Sequence, residues 1–184
     1  MSEPAARTRM TLDEFLAFEG EGDTRYELVA GEPQAMAPPS DAHGTITGNA
    51  WGVVSHRLRD RPPCRAVVEA GILVDDLNLY VSDLAATCAE TKHASCVEDP
   101  FLIVEVLSPS THKDDLAVKV KRYIELVSVR EIWLIDSRER WAQIWRREAG
   151  AWVVTMPLRG DATFRSEALG EEIALGELYR NSGM

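Results

Sequence analysis

Two hydrophobic periods alternate along the chain and divide it into elements. Behind Ser40, which stands where a helix N-cap would, Ile46, Trp51, Val54 and Leu58 recur at helical spacing until Pro62-Pro63 stops the pattern. A second stripe, Leu116, Val120, Tyr123, Ile124 and Val127, predicts a helix from about 112 to 126. Thr11 followed by Glu14 reads as the capping box of a short helix through Phe18, ended by Gly20 to Gly22. Elsewhere the period is two, or the apolar run is continuous. Residues 26–30 and 33–37, divided by Gly31-Glu32, predict a hairpin; 65–69, 71–74, 79–88, 101–107, 131–136, 141–146 and 152–156 predict strands. Helices bracketing a strand-rich middle make an α/β or α+β sheet protein rather than a bundle or a sandwich. With no repeat and no long Pro, Gly or Ser linker, one domain over 1–184 is expected, with 1–10 as a lead and 157–184 as an extension in which 168–179 closes a sheet edge.

Composition narrows the function classes. The 184 residues carry 20 Lys+Arg against 30 Asp+Glu, a net charge of -10, and 45% are hydrophobic, as in a folded soluble chain. No apolar run approaches the ~20 residues needed to span a bilayer, and the start of the chain is polar, so membrane and secreted readings drop out and a cytoplasmic location is expected. Cys64, Cys88 and Cys96 are too few and odd in number for a disulfide framework, and reduced thiols are expected. The acidity is uneven: residues 1–56 hold 3 basic and 9 acidic groups, 57–147 hold 14 and 15, and 148–184 hold 3 and 6. In the balanced middle, Arg57, Arg59, Arg61 and Arg65 cluster, as do Lys113, Lys119, Lys121 and Arg122. Solvated mixed-charge faces explain both clusters more simply than a positive binding surface does.

One residue is out of place: Glu105, the single carboxylate inside the apolar strand FLIVEVL at 101–107. Both faces of such a strand should be buried, so an ionised carboxylate there requires a cation, a metal or strong hydrogen bonds. The plainer alternative is a strand-end glutamate reaching solvent or a structural arginine. Asp83 sits in a similar strand, with Leu79, Val81 and Ala85 on its face and Tyr80, Leu84 and Ala86 on the other. Two acids on adjacent strands can share a hard divalent cation such as Mg²⁺. On the later helix Lys119 lies about 60° from Leu116, flanking the buried stripe, while Lys121 and Arg122 should face water. From there Lys119 could orient or deprotonate a water, or simply cover the core edge.

Other candidates are weaker. Cys88, His93 and Cys96 lack a fourth zinc ligand and a standard spacing. His43 suits a capping role better than phosphate contact, Asp136 suits a turn, and Asp115 could pair with Lys119 one helical turn away. Trp133, Trp141, Trp145 and Trp152 read as core or interface aromatics, and their density makes a homodimer an expectation. No Walker-type loop or dinucleotide glycine fingerprint is present.

Taken together, the motifs resemble the Uma-type family of restriction-endonuclease-like proteins, within the PD-(D/E)xK superfamily. The likeness runs through Arg25-Tyr26-Glu27-Leu28, Gly31-Glu32, Met36, Pro39-Ser40, His43, LYVSDLAATC (79–88), DPFLIVEVLSPST (99–111), Asp115, Lys119, Tyr123 and EIWLID (131–136). It covers roughly residues 10 to 156, and EVLSPST is its specific part. The resemblance implies a mixed sheet flanked by helices, with Asp83 and Glu105 as metal-binding acids and Glu27 completing the site. The superfamily lysine two residues after the second acid is Leu107 here; Lys119 is the family's recurring lysine on the next helix. Two further departures are Ser82, where the family usually has Pro, and Ser128-Val129-Arg130-Glu131-Ile132 at a turn commonly Gly-Val-Pro-Glu-Tyr.

The activity so implied is hydrolysis of DNA phosphodiester bonds with Mg²⁺, or Mn²⁺ in its place, and Lys119 assisting. Its rivals are a catalytically silent nucleic-acid-binding or protein-interaction module, favoured by the net charge, and a hydrolase of a smaller phosphate compound, which needs the same acids in a closed pocket.

Overall fold

The computed structural model describes residues 9–22, 24–92, 95–108 and 113–184, of which residues 113–115 are described by backbone alone. Helix α1 (Leu12–Leu16) begins at the expected capping box: Thr11 Oγ1 accepts from the Glu14 amide, and Glu14 Oε2 accepts from the Thr11 amide. Strands β1 (Tyr26–Val29) and β2 (Glu32–Ala35) form the hairpin, turning at Ala30 and Gly31 with φ of 51° and 80°. Helix α2 (Asp41–Leu58) starts where Ser40 Oγ accepts from the His43 amide at 3.2 Å. Next come β3 (Arg65–Asp75), β4 (Asn78–Thr87), β5 (Pro100–Leu107), α3 (Lys113–Tyr123), β6 (Glu131–Asp136), β7 (Trp141–Glu148) and β8 (Ala151–Val154). The tail holds β9 (Leu158–Arg159), β10 (Thr163–Ser166), β11 (Glu171–Ala174) and α4 (Leu175–Leu178).

The main sheet runs β2-β1-β4-β5-β6-β7-β8, with β3 on β4 and β9 on β7. Every pairing is antiparallel except β5 with β6, whose parallel register (Glu105↔Leu134) requires the crossover that α3 supplies. The sheet is therefore mixed and flanked by helices. On one face α2 packs with α4 over Ile46, Val54, Leu102, Val104, Trp133 and Leu178; on the other α3 packs over Ile72, Tyr80, Ile103, Val120, Tyr123 and Ile132.

Strand β4 creates the feature that matters for function. Strand β3 takes one edge along its length, from Arg65↔Thr87 to Asp75↔Asn78. The opposite edge is shared, β1 meeting it at Leu28↔Leu79 and β5 from Leu84↔Val104 onward. A fork opens between them, beside residues 80–83.

Several details depart from the sequence pattern. The two strands expected at 65–69 and 71–74 are one, and Glu69 within it takes a left-handed φ of 50°. The ladder steps from Val68↔Leu84 to Ala70↔Ser82 across it, and the burial parity reverses: Leu84 packs on the α2 side but Tyr80 on the α3 side, not on one face. Helix α3 ends at Tyr123, which leaves Val127 88% exposed, and Trp51, also expected in a buried stripe, is 46% exposed. Cys64 and Cys88, expected as thiols, form a disulfide beside the Arg65↔Thr87 pair, because the β3–β4 ladder brings the two chain ends together. Only β9 of the tail joins a main-sheet edge; Leu169, Ile173, Leu175, Leu178 and Tyr179 enter the core beside α2. The Arg57, Arg61 and Arg65 guanidiniums bond carbonyls of Glu172, Leu169 and Ala89, so they tie chain segments together.

Candidate functional site

The fork leaves backbone groups of β4 that a neighbouring strand would ordinarily satisfy. Side chains take that place. The Val81 amide donates to Glu27 Oε2 at 3.2 Å, and Lys119 Nζ donates to the Val81 carbonyl at 3.2 Å while lying 2.7 Å from the same Glu27 oxygen. Glu27 reaches the gap from β1 and Lys119 from α3. Asp83 and Glu105 stand one step beyond the last ladder pair, Leu84↔Val104, so the register carries them to opposite lips of the fork. Asp83 Oδ2 accepts from the Val106 amide at 2.6 Å, and Oδ1 lies 3.2 Å from Nε2 of His43 on α2. Glu105 points with Ile103 toward α3, where the Tyr123 hydroxyl donates to its Oε1 at 2.7 Å.

Glu105 is 7% exposed. Burial raises its pKa to about 7; Asp83 adds to the rise, while Lys119 and the Tyr123 hydrogen bond oppose it. Burial also works against the Lys119 ammonium, but Glu105 and Glu27 outweigh it and the Lys119 pKa is raised. The hydrogen bond to Asp83 lifts His43 above its ordinary value against the effect of burial. Burial and then the Glu105 carboxylate hold Tyr123 well above the usual phenol value, so its hydroxyl keeps its proton. These groups open into a cleft of about 710 Å³ that Glu69 and Arg25 also line. Among the described residues no three His, Cys, Asp or Glu side chains converge tightly enough to enclose a metal ion. The donor set is two carboxylates on adjacent strands that line one cleft, oxygen ligands of the kind that suit a hard cation completing its shell with water and phosphate.

All four residues singled out in the sequence, Glu27, Asp83, Glu105 and Lys119, line this cleft. His43 does more than cap its helix, since its amide bonds Ser40 while its imidazole reaches Asp83. Tyr123 lay hidden in a helical stripe; the signal for it is that a buried phenol needs a hydroxyl partner. Arg122, expected in water, pairs with Asp75 and Glu125. A second buried acid, Glu131, accepts from the Trp133 indole and from the Glu167 and Ala168 amides, which pins the tail to β6. Asp136 forms the expected turn by accepting from the Arg138 amide at 2.7 Å. Trp133 is fully buried, and Trp141, Trp145 and Trp152 pack against the α3-side core. With Cys88 in a disulfide the zinc grouping is broken, and its third member, His93, lies outside the described residues, as does the side chain of Asp115.

Comparison with known proteins agrees with the architecture. An uncharacterized protein of Synechocystis sp. is 25% identical over 180 residues, covering 94% of this chain and 92% of that one. The fold matches a crystal structure described as a putative nuclease belonging to DUF820 from Anabaena variabilis, with a TM-score of 0.76, 19% identity, and coverage of 92% of this chain and 97% of the other. The model of the Uma2 family, described as "Putative restriction endonuclease", matches residues 12–176, a span that takes in the β1–β4–β5 fork and all four acidic and basic side chains within it. On that match the chain belongs to the Uma2 family of restriction-endonuclease-like proteins.

Proposed function

We propose that this protein is a metal-dependent endonuclease that hydrolyses phosphodiester bonds in DNA. Asp83 and Glu105 are the residues that would hold the cation, Mg²⁺ or alternatively Mn²⁺. When bound, the cation supplies Lewis-acid polarisation of the phosphate and a water of lowered pKa. Lys119, held between Glu27 and the Val81 carbonyl, is a fixed positive charge beside the acids and stabilises negative charge that develops at the phosphate. Its raised pKa makes it a cation rather than a base. Glu27 positions that ammonium. Tyr123 fixes the Glu105 carboxylate, and His43 with the Val106 amide fixes that of Asp83.

The observation that carries this reading is Glu105 itself. A carboxylate buried in an apolar strand, with the charge of a second acid adding to the rise of its pKa, is unfavourable for folding, and a cation held by the two would relieve both burial and repulsion. The test incubates wild type and Glu105→Gln with linear duplex, supercoiled and single-stranded DNA, each in Mg²⁺, Mn²⁺ or EDTA. Cleavage by wild type that needs the metal, and at least a hundredfold less product from Glu105→Gln, is expected on the scale of about 10²–10³ seen when one stabilising group is removed. Equal cleavage by both proteins would remove Glu105 from the mechanism.

One observation favours a second reading. Among the described residues, four acids line the cleft, Glu27, Glu69, Asp83 and Glu105, against the permanent cations Arg25 and Lys119. A catalytically silent binding module would keep the fold with that charge balance. Folded wild type that cleaves none of the substrates and binds Mn²⁺ no better than Glu105→Gln by calorimetry would establish it.

A further inference from the structure

Among the described residues lining the cleft, only two side chains are permanently positive. Lys119 is deep, with its side chain 15% exposed, and is committed to Glu27 and the Val81 carbonyl. Arg25 is at the mouth, 41% exposed, and its guanidinium pairs with Glu69. Its backbone is fixed, because its carbonyl accepts from the Met36 amide at 2.8 Å and so extends the β1–β2 hairpin by one pair. Glu69 is itself 56% exposed, and its left-handed residue sits where the β3–β4 register brings it opposite Asp83. The pair therefore joins the start of β1 to β3 at the exposed side of the cleft that the acids also line.

An ion pair between two exposed side chains is weak and exchangeable. A phosphodiester is a better partner for guanidinium than a single carboxylate in water, because its oxygens accept the two-pronged donor while the polyanion releases counterions. We propose that Arg25 is the phosphate-binding residue at the mouth of the cleft, and that Glu69 holds its guanidinium there until a DNA phosphate displaces the carboxylate. The exchange makes no covalent bond: one ion pair opens and another closes. Glu69 thus acts as a stand-in anion that holds Arg25 at the cleft mouth. This inference rests on the endonuclease reading of the cleft and adds to it the residue that contacts the substrate backbone.

The two members of the pair make opposite predictions. Fluorescence anisotropy would follow a labelled duplex binding to the full chain in Ca²⁺, which replaces the hydrolytic metal, over a series of NaCl concentrations. Arg25→Gln should weaken binding by roughly 3- to 10-fold and lower the magnitude of the log Kd against log salt slope by about 1, the signature of one lost phosphate contact. Glu69→Gln should tighten binding, since it frees the guanidinium and removes a negative charge, and the double variant should resemble Arg25→Gln. Arg25→Lys should keep the salt slope while losing part of the affinity, because the charge remains and the fork is gone. Mn²⁺ affinity measured by calorimetry should be the same in every variant to within about twofold, which also reports that the acid site is intact. Wild type that binds duplex while Arg25→Gln and Arg25→Lys bind it equally well, with the same slope, overturns the assignment of Arg25 alone. Weaker binding by Glu69→Gln overturns the stand-in role. Wild type that binds no duplex in Ca²⁺ overturns the reading of the cleft, and the assignment of Arg25 with it.

Discussion

Burial lifts the Glu105 carboxyl of the folded protein to about 7 from its ordinary 4.5, and the direction of that shift fixes how stability follows pH. Below pH 4.5 the folded and unfolded chains both hold the proton, so the residue contributes nothing. Between 4.5 and 7 the unfolded chain releases it while the folded chain keeps it, and stability falls as pH rises. Above pH 7 the loss is constant, on the order of 3 kcal/mol for a shift of this size. Glu105→Gln keeps the hydrogen bond from Tyr123 and has no proton to lose. Urea unfolding should therefore show the variant drawing ahead of wild type from pH 5 to pH 8, with the gap shrinking at pH 8 when Mg²⁺ is added to wild type. Parallel curves for the two proteins across that range would show that Glu105 is not in the environment described. This residue was legible from the chain alone because one carboxylate breaks a run of apolar neighbours, a contrast confined to seven positions (101–107). Tyr123 and His43 were not legible as site residues, since each also satisfies a local rule: one fits a buried helical stripe, the other the first turn of a capped helix. Only their distances to Glu105 and Asp83 separate those roles.

At the scale of elements, β3 and β4 show why periodicity can locate a strand and still misplace its faces. The interruption of alternation near residue 70 resembles a strand boundary, yet the strand continues through Glu69 in a left-handed conformation and emerges with its faces exchanged. The same irregularity lies opposite Asp83, so the loss of pattern and the placement of the acid have one cause. The fork is equally hidden: it arises because β1 and β5 share an edge of β4, and no local pattern encodes which distant strands share an edge. Gly71 gives this region a direct test. A Cβ there would fall 2.2 Å from the Ser95 carbonyl oxygen, in a segment held close by the Val97 amide bonding the Gly71 carbonyl at 2.8 Å. Gly71→Ala must push that backbone away and should cost about 1–3 kcal/mol. A lower urea midpoint with an unchanged slope is the expected result; an unchanged midpoint would mean that the 95–97 segment does not approach β3 so closely.

The whole molecule poses a charge problem that its site must solve. A chain of net charge -10 repels DNA at long range, and among the described residues its cleft is lined by more carboxylates than permanent cations. The basic cluster at residues 57–65 does not offset this inside the cleft, because none of Arg57, Arg59, Arg61 and Arg65 is among the residues that line it. Overall composition thus fits both nuclease and silent module, whereas the EVLSPST segment at 105–111 points to the fold at once, since a sheet of this topology can carry either function. If the nuclease reading is right, positive charge must arrive with the divalent cation, and DNA affinity must depend on it far more steeply than simple screening allows. Raising Ca²⁺ from zero to millimolar at constant ionic strength should then tighten duplex binding at least tenfold in wild type. Glu105→Gln, with one ligand of the pair neutralised, should lose most of that gain while keeping its fold. A protein with a ready-made basic groove would instead bind in EDTA and weaken as Ca²⁺ is added, because added cation only competes for phosphate. The sign of the Ca²⁺ effect therefore separates an acid-lined site that recruits DNA through its metal from a surface that binds DNA by its own charge.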